Sequence, residues 1–468
     1  MSARDGFDLA VIGAGSAGFS AAIRGAELGA RVALVGFGTI GGTCVNVGCV
    51  PSKTLIRAAE ALHRARTAAR FDGLRATASV VDWGAVIDHK DDLVARLRRA
   101  KYQDLLGAYP LISYRDGPAR LTGSGVTVNG GELAAEKVIL ATGAAPLVPA
   151  IPGIDDVPAL TSTTAMEMKH LPATLLIVGG GFIGCELAQM FARAGVAVTL
   201  VTRRRLLPQA EPEIGAALTG FFQEEGVNVI DGVAYGAIRR NPTGVALTVD
   251  RADGVESIAA ERILVTAGRR PNTGDLGLEE AGVALTADGA VKVDQHMRTN
   301  RPGTYAAGDV TGRDPFVYMA AYGAKIAAEN ALEGDRRTYD ATAMPWVAFT
   351  DPQAAGVGLS EAEARARGFD VRTSTLDLAQ VPRALAARDT RGLIKLVAEK
   401  GTDRLLGAQI LAPEGGDSIQ TAALAIKAGL TVAALGETLF PYLTTVEGLK
   451  LAAQAFDKDI GMLSCCAG

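Results

Sequence analysis

The 468-residue chain exceeds what one domain commonly holds, and a hydrophobic content of 48% supplies several buried cores. Its 47 Lys+Arg and 51 Asp+Glu leave a formal charge of −4, which argues against nucleic acid as the main partner, and no stretch approaches the ~18 apolar residues of a membrane span. The N-terminal sequence enters a strand almost at once without a secretory signal pattern, and five cysteines are an odd count for a disulfide framework. A cytoplasmic setting is expected, with the thiols used for redox or metal chemistry.

The first predicted elements lie in FDLAVIGAGSAGFSAAIRGAELGARVALVGFG, where an apolar strand (8–12) runs into Gly13, Gly15 and Gly18, then a helix and a second strand (31–35). This is the context in which G-x-G-x-x-G binds a dinucleotide: the glycines allow a tight turn and a pyrophosphate close to a helix N-terminus. The pattern recurs in TLLIVGGGFIGCELAQMFARAGVAVTLVTRRR with Gly179, Gly181 and Gly184. One copy is weak evidence, but two in full strand–helix–strand context imply two dinucleotides. LAAEKVILATGAAP, ESIAAERILVTAGRRPN and TYAAGDV each read as a strand ending in a small-residue turn suited to a nearby ligand. After residue 341, strand-like runs precede helix-like ones. The expected fold is therefore α/β, with two Rossmann-like dinucleotide-binding domains and a C-terminal α+β domain. The expected division is 1–152 and 274–340 for the first nucleotide domain, 153–273 for the second, and 341–468 for the last.

Cys44 and Cys49 in GGTCVNVGCVPSK have the wrong spacing for a zinc ribbon, and no nearby His or Cys completes one. They read as a local disulfide or dithiol, with two packed core cysteines as the plain alternative. Cys185, inside the second fingerprint helix, reads as a buried structural thiol. Cys465 and Cys466 are adjacent near the end of the chain, where a disulfide would be strained; two thiolates there suit a soft metal ion. At the end of the second fingerprint's strand stand Thr202 and the run Arg203, Arg204, Arg205. With no acid to repel a 2′-phosphate, NADPH is favoured over NADH, the alternative being a solvated basic loop.

GGTCVNVGCVPSK, both fingerprints, ATG, AGRRPN, YAAGDV and the C-terminal region together resemble the flavoprotein disulfide reductases over essentially the whole chain. The resemblance implies FAD on Gly13, Gly15, Gly18, Gly42, Thr43, Lys53, Ala141, Thr142, Gly143 and Asp309. It implies a nicotinamide dinucleotide on Gly179, Gly181 and Gly184, with Gly268, Arg203 and Arg204 also at nucleotide sites. Cys49 would lie against the flavin and Cys44 would exchange with substrate, while Lys53 would pair with Glu186 and stabilise reduced flavin. Two departures stand out. Gly36 replaces the acid expected ~20 residues after the fingerprint, so one bond to the adenosine ribose is missing. In FPYLTTVEG, Glu447 is present but Tyr442 stands where the family carries an acid–base His, and a phenol of pKa near ~10 is a poor substitute.

DPFVYMAAYGAK, TAMPWVAFTDPQ, VPRALAARDTRGLIKLV and LSCCAG resemble the branch of this family that reduces mercuric ion. That implies delivery of Hg(II), brought as a small-thiol complex, from Cys465 and Cys466 of one chain to Cys44 and Cys49 of its partner. NADPH and FAD would supply the electrons, and Tyr102 and Tyr442 would line the inner site. A C2 homodimer sharing its active sites is expected. The bland alternative for both tyrosines is packing. The rival functions are thioredoxin-type disulfide reduction and sequestration of soft metal without turnover.

Overall fold

In the computed structural model, residues 6–123, 125–252 and 254–462 are described, and the expected tail thiols Cys465 and Cys466 lie outside them. The chain divides into two compact units, one of Met1–Thr54, Gly84–Leu147 and Gly268–Asp340, the other of Leu55–Trp83, Val148–Ala267 and Ala341–Gly468.

The first unit is built on a five-stranded sheet, every pairing parallel, in the order Thr304–Ala306, Ala135–Leu140, β1 (Phe7–Ile12), β2 (Val32–Gly36) and β3 (Ile112–Asp116). β1 and β2 in its interior are near-continuous apolar runs because both faces are covered. Leu9, Val11, Leu34 and Ile139 pack on one face with α1 (Ser16–Glu27) and the helix Val317–Glu333. Ala10, Ile12, Val35 and Leu140 face the other way, onto Val126 of a small antiparallel sheet and onto Leu276, Val291 and Val310. α1 starts hard against β1: a Cβ at Gly18 would overlap the Gly13 carbonyl, and Gly13 itself has φ +120°.

The second unit repeats this in a four-stranded parallel sheet ordered Asn228–Ile230, Ala197–Val201, Thr174–Val178, Arg262–Val265, with the helix Phe182–Arg193 after its glycine turn. A three-stranded antiparallel sheet, 234–260, joins its core. The C-terminal part is a five-stranded antiparallel sheet ordered Pro345–Ala348, Gln353–Gly358, Leu405–Ala412, Leu393–Glu399, Val371–Asp377. The helices Gly415–Lys427 and Glu447–Gln454 share its core. The observed architecture is the expected one: two Rossmann-like parallel-sheet domains and a C-terminal α+β domain.

Buried ionic clusters link the parallel and antiparallel sheets of the second unit. Lys395, 4% exposed, is held by Glu211 at 3.0 Å, Glu213 at 2.9 Å and Glu361 at 3.1 Å. Arg193 bonds Asp351 at 3.0 Å and Glu225, and Arg391 bonds Glu225 at 3.2 Å and Asp389 at 2.8 Å. A charge so placed costs several kcal/mol to leave alone, so each partner fixes the position of the other.

Candidate active site

The cysteine segment is divided between two helices. Cys44 lies in α2 (Gly42–Asn46), and Cys49 is the first residue of α3 (Cys49–Arg66). The break falls at Val47–Gly48, where a Cβ on Gly48 would press the Thr43 carbonyl at 3.0 Å, so glycine favours this close turn over α2. The turn brings the two sulfurs together. Neither sulfur is in a disulfide, and Cys44 is hydrogen-bonded to Cys49. That bond, then burial, then the charge of Cys49 hold the Cys44 proton far above the ordinary thiol range, while Lys53 pulls the other way. Lys53 lies one helical turn beyond Cys49 on the same face of α3 and is half-buried.

Backbone contacts fix the pair against the first glycine turn. Gly41, at φ +101°, donates from its N–H to the Ala14 carbonyl at 2.8 Å. A Cβ on Gly42, at φ +66°, would lie 2.6 Å from Gly15 Cα, so α2 can start here only with glycine at position 42. Beside them, a Cβ on Gly13 would overlap the Ala141 carbonyl, and the ATG and RPN turns are stitched together. Thr142 Oγ1 donates to the Asn272 carbonyl at 2.7 Å, and the Asn272 N–H donates to the Gly143 carbonyl at 2.9 Å.

Arg269 was not singled out from the sequence, although AGRRPN held the signal. Its guanidinium donates to the Ala144 carbonyl and to Thr43 Oγ1 at 3.4 Å, and Nε lies 3.8 Å from Asp309 Oδ2. Burial pushes the Asp309 carboxyl up, against the pull of Arg269. Burial lowers the Arg269 pKa, and the charges of Asp309 and Cys49 oppose this. The arginine thus ties α2, the strand Ala144–Pro146 and the Asp309 turn together beside the thiols.

Tyr102 also comes to this place. It sits in a π-helical turn, Arg99–Gln103, a geometry often found at functional sites. Its ring stands edge-on to Phe19 at 4.9 Å between centroids, and its hydroxyl is 3.4 Å from Ser16 Oγ. Burial raises its pKa, and the charges of Cys44 and Cys49 add to the shift, so it stays a neutral phenol within reach of both thiols' fields.

A flavin dinucleotide fits this unit. Gly15 caps α1 with no side-chain acceptor, leaving the first helical N–H groups for a pyrophosphate, and Gly143, at φ +72°, faces open space. In the second unit Gly181 caps its helix the same way, with open space around it. Of the three arginines there, Arg205 is turned inward, donating to the carbonyls of Pro208 at 3.0 Å and Ala210 at 2.5 Å. Arg203 and Arg204 are exposed, with Arg203 over the Tyr235 ring at 5.5 Å. Glu186 is buried and accepts from the Phe349 N–H at 2.9 Å. Cys185 is fully buried, donates to the Gly180 carbonyl at 3.4 Å and has its pKa raised by burial, as a structural thiol should.

Tyr442 and Glu447 are brought together at the start of the helix Glu447–Gln454. Glu447 is buried and accepts from the Leu443 N–H at 3.1 Å, which holds Leu443 at φ +63° and leaves Tyr442 about half exposed, at 49%. Among the described residues no cluster of three or more His, Cys, Asp or Glu could hold a metal ion, and no helix is long and apolar enough to cross a membrane.

Two nucleotide-binding sheets, a dithiol at the first glycine turn and an α+β C-terminal domain define a flavin-type dithiol oxidoreductase. The chain belongs to the pyridine nucleotide-disulphide oxidoreductase family, whose profile matches residues 7–327, with the family's dimerisation domain at 344–453. It is similar to the mercuric reductase of Streptomyces lividans, 49% identical over 100% of both chains. It is also similar to that of Staphylococcus aureus, 44% identical over 99% of this chain and 85% of that one. Among solved structures it resembles the Cu(II) complex of the HOCl-induced flavoprotein disulfide reductase RclA from Escherichia coli. The TM-score there is 0.84, at 32% identity, covering 96% of this chain and 99% of that one.

Proposed function

We propose that this protein reduces Hg(II) to Hg(0) with electrons from NADPH, in the cytoplasm, as a homodimer with shared active sites. The observation that carries the reading is the adjacent Cys44–Cys49 pair, hydrogen-bonded and set beside Tyr102 and Arg269. Two soft donors in reach of each other suit a thiophilic ion. The full-length likeness to curated mercuric reductases supports the same substrate. All four histidines, His63, His89, His170 and His296, precede residue 341, so no imidazole of the C-terminal domain can protonate a departing thiolate. Hg(0) leaves uncharged and needs no such proton.

Bound FAD, recharged by NADPH, would supply the electron pair. Gly13, Gly15, Gly18, Gly42, Thr43, Ala141, Thr142, Gly143 and Asp309 would hold it, with Lys53 and its counter-charge Glu186 placing a cation beside it. Gly179, Gly181, Gly184 and Gly268 would hold NADPH, and Arg203 and Arg204, not the inward-turned Arg205, would grip its 2′-phosphate. Cys465 and Cys466 of one chain would take Hg(II) from a small thiol and pass it by ligand exchange to Cys44 and Cys49 of the other. Each transfer makes one S–Hg bond as another breaks, and metal binding releases the thiol protons. Tyr102 and, with Glu447 behind it, Tyr442 would line the receiving site. The domain division proposed is 1–152 with 274–340, 153–273 and 341–468.

The test is NADPH oxidation by the FAD-loaded protein with Hg(II) in excess small thiol, beside oxidised glutathione and oxidised thioredoxin. Oxidation that depends on Hg(II) and ignores both disulfides is expected. Turnover of either disulfide without Hg(II) turnover would sink the reading.

A further inference from the structure

The end of β2 carries no acid, yet the space that such a side chain would fill is taken. Gly36 has an ordinary backbone, so glycine is not required there by a left-handed conformation. What excludes a side chain is its surroundings. A Cβ on Gly36 would fall within the surface of Tyr114 Oη, 3.0 Å from Tyr114 Cε2 and 2.8 Å from Ala14 Cβ. Tyr114 sits on β3, paired in register with Leu34, while Gly36 pairs with Asp116. From Leu34's row its side chain therefore leans two residues forward along the sheet, and its phenol tip ends beside both Gly36 and the residue between Gly13 and Gly15. The ring packs against the first unit's core, while the residue as a whole is only half-buried. Its hydroxyl has no hydrogen-bond partner among the described residues, unlike Tyr102, Tyr235, Tyr305 and Tyr339, each of which has one. A part-buried phenol normally finds a partner.

We propose that Tyr114 Oη replaces the missing carboxylate and hydrogen-bonds a hydroxyl of the adenosine ribose of FAD. The position of that hydroxyl follows from general dinucleotide geometry: the residue closing the second strand meets the ribose of the nucleotide whose pyrophosphate lies at the glycine turn. Gly36 and Tyr114 form one unit, glycine making room for the phenol and the phenol supplying the polar atom. The bond is neutral, whereas the carboxylate it replaces would bring a charge to the ribose. The inference rests on FAD occupying the Gly13–Gly18 turn.

The experiment is FAD binding to the flavin-stripped full-length protein, followed by quenching of flavin fluorescence, with FAD and with analogues whose adenosine ribose lacks the 2′- or the 3′-hydroxyl. Tyr114→Phe is expected to weaken FAD about fivefold, the size of one neutral hydrogen bond, and to leave one of the two deoxy analogues unaffected. Gly36→Glu alone is expected to impair binding because the side chain collides with the phenol. Gly36→Glu combined with Tyr114→Val should restore it, since the acid then has room. Equal effects of Tyr114→Phe on FAD and on both analogues would overturn the inference, as would a Gly36→Glu protein that binds as well as the double variant. Those outcomes leave FAD bound. If the underlying reading were wrong, neither the parent protein nor any variant would bind flavin.

Discussion

Replacing Arg269 by Gln removes the positive charge that faces Asp309 and keeps a side chain of similar length. At the observed 3.8 Å, with an effective dielectric constant of about 20, the pair is worth about 4 kcal/mol. Both side chains keep about a fifth of their exposure, at 20% and 22%, so solvent screens part of this. A loss of about 2 kcal/mol is expected, or about 30-fold in the unfolding equilibrium. The loss depends on pH. Burial already raises the Asp309 carboxyl, and Arg269 opposes that shift. Without the arginine the folded-state pKa rises further above the unfolded one. Such a group contributes stability that is full at low pH and lost as pH rises through the folded value. Arg269→Gln should therefore differ most from the parent at about pH 8 and less at about pH 5, because acid moves Asp309 toward its protonated form, in which Arg269 has no charge to face. Urea-induced flavin release, read by fluorescence at both pH values, measures this. Arg269→Lys should fall between, since it keeps the charge but cannot reach Ala144 and Thr43 together. A variant as stable as the parent at pH 8, or one that loses more at the acid end, would refute the role given to this pair.

Three further outcomes follow from the same structure. Arg203→Ala with Arg204→Ala should raise the KM for NADPH about 10- to 100-fold and barely change NADH use, whereas Arg205→Ala should lower the unfolding midpoint and spare the NADPH preference. Cys465→Ala with Cys466→Ala should slow Hg(II)-dependent NADPH oxidation at least ~10-fold under excess small thiol, where delivery competes with free ligand, and much less when thiol is scarce. His63 has its pKa lowered first by burial and then by Arg193, with Glu225, at 3.8 Å, opposing. Its stabilising contribution is therefore complete above about pH 6.5 and lost as pH falls from there toward the lowered folded value. Urea midpoints of the parent should drop over that range, and His63→Gln should flatten the drop.

Local features were legible in the sequence and convergent ones were not. Gly13, Gly15, Gly18 and their second copy announce themselves because strand, turn and helix are consecutive in the chain, and Gly18 and Gly184 each answer a contact five residues back. Cys44 and Cys49 were legible as a pair, but the helix break between them was not. It depends on Gly48 closing over the Thr43 carbonyl, a contact that helical periodicity does not register. Arg269 was hidden because its partners, Thr43, Ala144 and Asp309, come from three distant segments. Gly36 was visible as a missing acid, but the phenol that fills its space arrives from β3, and only sheet register reveals it. The three arginines looked equivalent until Arg205 was seen to satisfy the carbonyls of its own loop.

The most direct test of the central claim is the amount of mercury vapour released per NADPH consumed, with the FAD-loaded protein and a Hg(II)–thiol complex in a sealed vessel. Electron balance requires one Hg(0) for each NADPH, and Cys44→Ser should abolish the release. NADPH consumption without vapour, or mercury retained on the protein in proportion to its thiols, would contradict the account.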